Sequence, residues 1–253
     1  MILATIGQKL AVSLMTSWLK KFTEEKLPPG QLRKLWFASK LASNKTLYRI
    51  SVGYLYRIKL DDQYLLVRGK RIDQFQPVGG ARKWYAPALD ALETMGVRDD
   101  DCLPIDDTSR NDLRVRVPAK NLFDFIRWYN KQKHREVDQT REFQEELIKP
   151  GLLPADAFAT INVRYLYTVP TFHYSPYFKC QELLYHEVYE LLPTAAQEAA
   201  LRATQQQDHA EYKWVTENLI ERLGYDSVAK TKPFAIGEHT RLLITNTTNI
   251  FTD

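Results

Sequence analysis

The segment Arg141-Glu142-Phe143-Gln144-Glu145-Glu146-Leu147 packs three carboxylates and a guanidinium into two helical turns. On a helix, positions i, i+3 and i+4 share a face, so Glu142, Glu145 and Glu146 line one side while Phe143 and Leu147 point elsewhere. A fold that keeps such a helix must bury its apolar side and bring positive charge to its acidic side. A divalent cation, Mg²⁺ or Mn²⁺, meets the second demand, because it takes hard oxygen ligands and bridges to substrate phosphates. A solvated acidic face is the other reading that a charge run by itself leaves open.

The chain has 253 residues, 44% of them hydrophobic, which suits one large domain or one domain with an appendage. Cys102 and Cys180 match no metal-ligand spacing and make no disulfide framework, so a reducing cytoplasm is the expected location. From Met1 to Phe22, apolar residues recur every fourth position at Ile6, Leu10, Leu14, Trp18 and Phe22. Gln8, Lys9, Ser13, Thr16 and Ser17 interrupt the run too often for a membrane span, and no basic start precedes a clean apolar stretch as in a signal peptide. An amphipathic helix is expected instead.

Charge is unevenly spread: residues 1–45 hold eight Lys or Arg against two Glu, whereas the whole chain carries +4. A basic amphipathic start is expected to pack on its own domain or in a homodimer. Residues 1–26 also suit a peripheral membrane surface or a partner protein. The basic residues are not interleaved with a nucleic-acid reading motif, so no specific nucleic acid is expected as partner.

Pro28-Pro29-Gly30 separates the first helix from a second over residues 31–42. Leu47 to Leu60 and Gln63 to Arg68 read as strands joined by an Asp61-Asp62 turn, and Phe75 to Val78 as a short strand running into Gly79-Gly80. Residues 81–108 read as a long polar loop, 112–117 as a strand and 120–133 as an amphipathic helix. The acidic helix is expected over 138–148, with Asp138 as N-cap and Lys149-Pro150-Gly151 as its stop. Strands follow over 159–169 and 180–191, with an aromatic loop, Thr171 to Phe178, between them. Residues 211–215 read as a strand, 216–223 as a helix capped by Thr216, and 238–246 as a last helix or strand. The mixture lacks a regular βαβ rhythm, which favours an α/β sandwich of the α+β kind with a mixed sheet.

These pieces resemble the Nudix family. Arg141, Glu142, Phe143, Glu145 and Glu146 match the core of its box, Arg-Glu-U-x-Glu-Glu, in order and spacing, where U is bulky and apolar. Tyr64 to Arg68 with Phe75 to Gly80 look like the strand and glycine turn before the box. Tyr212 to Thr216 look like the strand-to-helix junction near the end of the domain. The upstream Glu and Gly of the box would fall at Lys133 and Arg127, and the closing Gly at Ile148, so both flanks depart from the pattern. Glu136 is the nearest substitute for the upstream acid, provided that a loop before Asp138 turns it inward. The order Asn111 to Val117, Arg135-Glu136, Arg141-Glu142 is similar to the Nudix domains associated with bacterial CD-NTase antiviral operons.

The resemblance implies a Nudix-like α/β/α sandwich over 46–253, with a large insertion at about 81–134 and an N-terminal helical extension over 1–45. It implies Mg²⁺ or Mn²⁺ held by Glu142, Glu145 and Glu146, with Glu136 and Glu211 as further acids and Asp208 and His209 beside the latter. Glu142 and Glu145 take the catalytic roles and Arg141 holds the carboxylates in place. Gly79 and Gly80 let backbone approach metal or phosphate. Arg82 and Lys83 stand to meet phosphate or equally to remain solvated, and Phe172 and Tyr174 to stack a base of a nucleotide-type small molecule or, as such clusters more often do, to pack their loop onto the core. Two functions stand at this point: hydrolysis of a pyrophosphate linkage in a nucleoside-diphosphate derivative, and sensing of a nucleotide second messenger, a cyclic oligonucleotide, without turnover in anti-phage defence.

Overall fold

A computed structural model of the chain describes residues 29–43, 46–102, 104–107 and 109–247. The amphipathic segment Met1 to Phe22, and with it any contact through residues 1–26, lies outside them. Among the described residues, no helix is long and apolar enough to cross a membrane.

Two sheets carry the fold. The first is mixed and six-stranded, in the order β6 (Arg98–Asp99), β7 (Arg114–Pro118), β1 (Leu47–Arg57), β9 (Cys180–Leu191), β8 (Val163–Ser175), with β5 (Gly79–Ala81) also paired to β1. Among the described residues of this sheet, only the central β1–β9 pair is parallel. The second sheet is antiparallel, with β10 (Tyr212–Thr216), β3 (Gln63–Arg68) and β2 (Lys59–Leu60) in a row and β4 (Phe75–Pro77) paired to β3. The β2–β3 turn sits at Asp61-Asp62, with Asp61 in the left-handed region that Asp tolerates (φ 49°). Helices pack on these sheets, which is the expected α/β sandwich.

The alternation of side chains along β1 distributes the core. Ile50 and Val52 enter a cluster covered by Leu35 of α1 (Pro29–Leu41). The same cluster takes Ala88 and Leu92, from a short helix α2 (Leu89–Thr94) and the turn before it, and Leu122, Phe125 and Ile126 from α3 (Leu122–Asn130). Two residues further along the same face, Tyr54 and Tyr56 enter a second cluster with Phe143 and Leu147 of the acidic helix. On the opposite face, Leu55 joins Val188, Tyr64, Leu66 and Leu242. Strand β3 is buried on both sides, Leu65 and Val67 in the second cluster and Tyr64 and Leu66 in the third, so it reads as a continuous apolar run.

Several expectations are corrected. Residues 81–108 are not a plain loop: a 3₁₀ turn at Ala86–Ala88, α2 and β6 lie within them. Those elements are too short for periodicity to register; burial of Ala88, Leu92 and Met95 fixes the helical turns, and pairing with β7 fixes β6. The aromatic loop is mostly strand, since β8 runs on to Ser175 with each residue paired to β9. Residues 195–205, a polar Ala/Gln stretch in the sequence, form helix α5 (Ala195–Gln205) with a reciprocal Thr194–Gln197 capping box. Thr216 occupies the N-cap of α6 (Glu217–Glu221) without a capping side-chain bond, and 238–243 is a 3₁₀ turn.

A buried ion pair joins the insertion to the sheet. Arg82, one residue beyond β5, is 1% exposed. Its guanidinium pairs with Glu187 of β9 and lies over the Tyr54 ring, 4.4 Å from the centroid. Tyr129 of α3 donates to the other Glu187 oxygen at 2.8 Å. Burial alone would push the Glu187 carboxyl up, but the Arg82 charge and these donors outweigh it and hold it below the usual carboxylate range. Nη1 of Arg82 also donates to the carbonyls of Val137 and Asp138, both at 2.9 Å. Glu187→Ala therefore leaves a buried, unpaired guanidinium. We predict a loss of about 3–5 kcal/mol in urea unfolding, while Arg202→Ala, which removes a solvent-facing cation, leaves the midpoint near that of the wild type.

Candidate metal and phosphate site

The segment that leads into the acidic helix is extended and tied down at both ends. Arg135 lies over the Tyr129 ring, 3.8 Å from the centroid, and donates to the Tyr129 carbonyl at 2.9 Å and the Glu136 carbonyl at 2.6 Å. The Glu136 N–H donates to the Lys83 carbonyl at 2.8 Å. Together with the Arg82 bonds to Val137 and Asp138, this turns the Glu136 side chain inward, where it is 7% exposed. The displaced upstream acid thus reaches the acidic helix from a loop.

Helix α4 (Thr140–Phe143) starts one residue later than a cap at Asp138 requires. Gln139 is its N-cap, and Asp138 instead accepts from the Thr140 N–H and hydroxyl. The helix then widens into a π turn over Gln144–Ile148, with the Lys149 N–H donating to the Gln144 carbonyl at 2.8 Å. The chain leaves through Gly151, whose φ of 75° suits a residue without Cβ. That places the terminating glycine three residues beyond Ile148. Phe143 and Leu147 are buried beneath, each worth about 1.5–3 kcal/mol, which offsets the crowding of carboxylates above.

Arg141 is the hub. Its Nε and Nη2 grip the two Glu136 oxygens at 2.8 and 3.1 Å. Its Nη1 reaches Glu142 at 2.7 Å and Glu145 at 3.4 Å, and its Nη2 also donates to the Ala81 carbonyl at 2.7 Å. Glu146 is left out of this grip. Its Oε2 accepts from the Gly79 N–H at 2.9 Å.

The glycine pair is required by space. A Cβ at Gly80 would overlap the Glu142 carboxylate, and one at Gly79 would overlap the Tyr54 carbonyl, in a backbone conformation (φ 146°) that side chains rarely adopt. β5 thus lies directly against the carboxylates. Side-chain exposure rises from Glu136 (7%) through Glu142 (14%) to Glu145 (29%), so a ligand approaches from the Glu145 side.

Four carboxylates crowd around one guanidinium here, with Lys149 Nζ 3.8 Å from Glu145 at the exposed edge. Burial raises Glu142 above the usual range against the pull of Arg141. Burial pushes Glu146 up to about 8, opposed by the Gly79 N–H and Lys70 and reinforced by Glu142 and Glu145. Glu142, Glu145 and Glu146 therefore fit a divalent cation: all are hard oxygen donors, short of positive charge, on a wall cleared by glycine. Glu136 is already held by two bonds from Arg141, so it positions Arg141 and is not an open ligand.

The other expected residues fall elsewhere. Arg82 is an internal strut and cannot offer its guanidinium to phosphate, since Glu187 and two carbonyls occupy it. Lys83 Nζ donates to the Arg110 carbonyl and to Asp112. Phe172 packs on Tyr48, 5.4 Å between centroids, in the cluster under α1 and α3, and Tyr174 is an exposed residue of β8. Glu211 is exposed at the start of β10, on the far side of β3 from β4. Asp208 pairs with Lys213, and His209 stacks on Tyr212 at 4.6 Å. Arg135, named only as part of the resembling pattern, had no role assigned, and Tyr54 and Glu187 had no place among the expected site residues. A charged residue inside the apolar run Leu183 to Tyr189 was the available signal for the last.

A second acidic group, Asp100, Asp101 and Cys102, brings its ligand atoms within 4.8 Å of one another. Arg49 and Arg116 already neutralise its two aspartates, so it has no need of an ion.

Carboxylates on one helix, set against a glycine turn that ends a strand and steadied by an arginine of the same helix, define a Nudix-type site. The family model described as SMODS-associated NUDIX domain matches residues 48–244, and the chain belongs to that family. Comparison with curated proteins gives no match.

The raised Glu146 carboxyl makes a prediction. The folded protein holds this proton more tightly than the unfolded chain, whose value is near 4.5, so the stability it contributes falls as pH rises toward 8. Glu146→Gln keeps an acceptor for Gly79 and removes the titration. In metal-free buffer, thermal or urea unfolding should favour the variant at pH 8.5 over pH 5 by at least about 1.4 kcal/mol relative to wild type, the worth of one pKa unit.

Proposed function

We propose that the protein is a divalent-metal-dependent hydrolase of a pyrophosphate linkage in a nucleoside-diphosphate derivative. The observation that supports this most is the shortage of positive charge at Glu142, Glu145 and Glu146, beside a backbone wall bare of side chains at Gly80. A bound Mg²⁺ or Mn²⁺ would supply charge neutralisation on the phosphoryl oxygens and acidify the attacking water. Glu145 and Glu146 would hold it, and Glu142, raised by burial, would serve as the base that takes a proton from water. Arg141 fixes Glu142 and Glu145 relative to each other and keeps Glu136 folded inward.

A second reading is a nucleotide sensor without turnover, acting in anti-phage defence. The engagement of Glu136 by Arg141 favours it, since that leaves three open carboxylates rather than four. The two readings part in one assay. The protein is incubated with Mn²⁺ or Mg²⁺ and a panel of dinucleotides, nucleotide sugars and cyclic oligonucleotides, with cleavage and binding followed together. Hydrolysis that Glu145→Gln reduces by at least about 100-fold, with the fold intact, is the expected result. Tight binding of a cyclic oligonucleotide with no cleavage of any substrate would sink the hydrolase in favour of the sensor.

A further inference from the structure

Lys83 joins the carboxylate site to a second cavity. Its N–H donates to Glu136 at 3.2 Å, and its Nζ donates at 3.0 Å to Asp112, which lines that cavity. The cavity has a volume of about 140 Å³, room for on the order of ten waters. That is the size of one planar ring system or one phosphoryl group, not of a whole nucleotide.

Three separate stretches contribute to its wall: Arg71 from the β3–β4 loop, Trp84 just after the glycine turn, and, further into the insertion, residues that include Asp99, Asp100, Ile105, Arg110, Asp112 and Arg114. The Trp84 backbone N–H donates to the Asn111 carbonyl at 2.8 Å, which holds this stretch against the loop that lines the cavity.

The charges decide between a phosphate and a ring. Arg71, Arg110 and Arg114 line the cavity, but so do Asp99, Asp100 and Asp112. Each arginine also has a carboxylate beside it: Asp106 for Arg71, Asp107 for Arg110 and Asp112 for Arg114. Asp100 is taken by Arg49 and Arg116. A lining with no net positive charge gives a second phosphate no advantage. It suits a neutral planar group with both donors and acceptors on its edge. An indole and guanidinium planes stack on such a ring, and Asp112, Asn111 and the arginines match amino and carbonyl groups at its rim.

We propose that this cavity is the nucleobase pocket of the protein, and that the insertion, rather than the aromatic residues of β8, recognises the base. Its role in turnover rests on the hydrolase reading, but recognition of a base does not.

The test compares ADP, GDP, CDP and UDP with inorganic pyrophosphate in Mn²⁺-loaded protein by titration calorimetry, and follows quenching of tryptophan fluorescence by the four nucleosides without metal. At least one nucleoside diphosphate should bind about 10-fold or more tighter than pyrophosphate, the tenfold step being about 1.4 kcal/mol. Trp84→Ala should bring that ratio toward one and remove the nucleoside quench. Trp84 also packs on the core, so Arg71→Ala, on a loop, serves as a second variant and should lower the ratio severalfold with an unchanged melting temperature. Pyrophosphate binding with no gain from any base, or a gain that both variants leave intact, overturns the pocket. Failure of pyrophosphate to bind with Mn²⁺ overturns the hydrolase reading alone, and the nucleoside quench then still decides for or against the pocket.

Discussion

The buried pair of Arg82 and Glu187 is the contact on which the site's geometry depends. One guanidinium, in the interior, ties the residue after the glycine turn to the central strand β9 and to the carbonyls of Val137 and Asp138. It therefore sets the distance between the two walls of the site, β5 and α4. A buried charge is costly unless every donor is used. Arg82 also faces the Tyr54 ring and reaches the Tyr189 hydroxyl at 3.2 Å. The desolvation cost makes alternatives expensive, so the pair specifies one arrangement more than it adds stability.

A second arginine does the opposite job. Arg141 is shared among three carboxylates and cannot neutralise them all. The structure accepts local repulsion at α4 because Phe143 and Leu147 anchor its apolar side among Tyr56 and Phe158. Burial raises Glu146, the member that Arg141 does not reach, to about 8, so it keeps its proton near neutral pH, and a cation bound there would displace that proton. Fold stability and ligand demand thus meet in one helix: its underside supplies the stability that its upper face gives up.

Much of this was legible in the sequence. The strand Gln63 to Arg68, the turn at Asp61-Asp62, and the acidic helix with its Gly79-Gly80 partner are strongly patterned and appear, although the helix starts only at Thr140 and the strand expected over Leu47 to Leu60 breaks at Ile58 into β1 and β2 of different sheets. The inward turn of Glu136 required only a loop before Asp138, which the missing periodicity allowed. Arg82 misled because a cation beside a glycine turn looks like a phosphate ligand. Its partner Glu187 lies about a hundred residues away, and only the parallel pairing of β9 with β1 brings them together. Phe172 misled in the same way: an aromatic cluster between strands carries no sign of which core it enters. The elements in the insertion were illegible because tertiary contacts, not local pattern, hold segments so short: burial of Leu92 holds Leu89–Thr94, and pairing with β7 holds the exposed Arg98–Asp99.

The central claim is that Glu142, Glu145 and Glu146 form a cation site that the fold leaves short of positive charge. Diffraction from crystals soaked in Mn²⁺, with anomalous difference maps at the manganese edge, tests it most directly. The account predicts one or two peaks bounded by these three carboxylates and the Gly80 backbone. A peak at Asp100, Asp101 and Cys102 instead, or well-diffracting soaked crystals with no peak at α4, would contradict it.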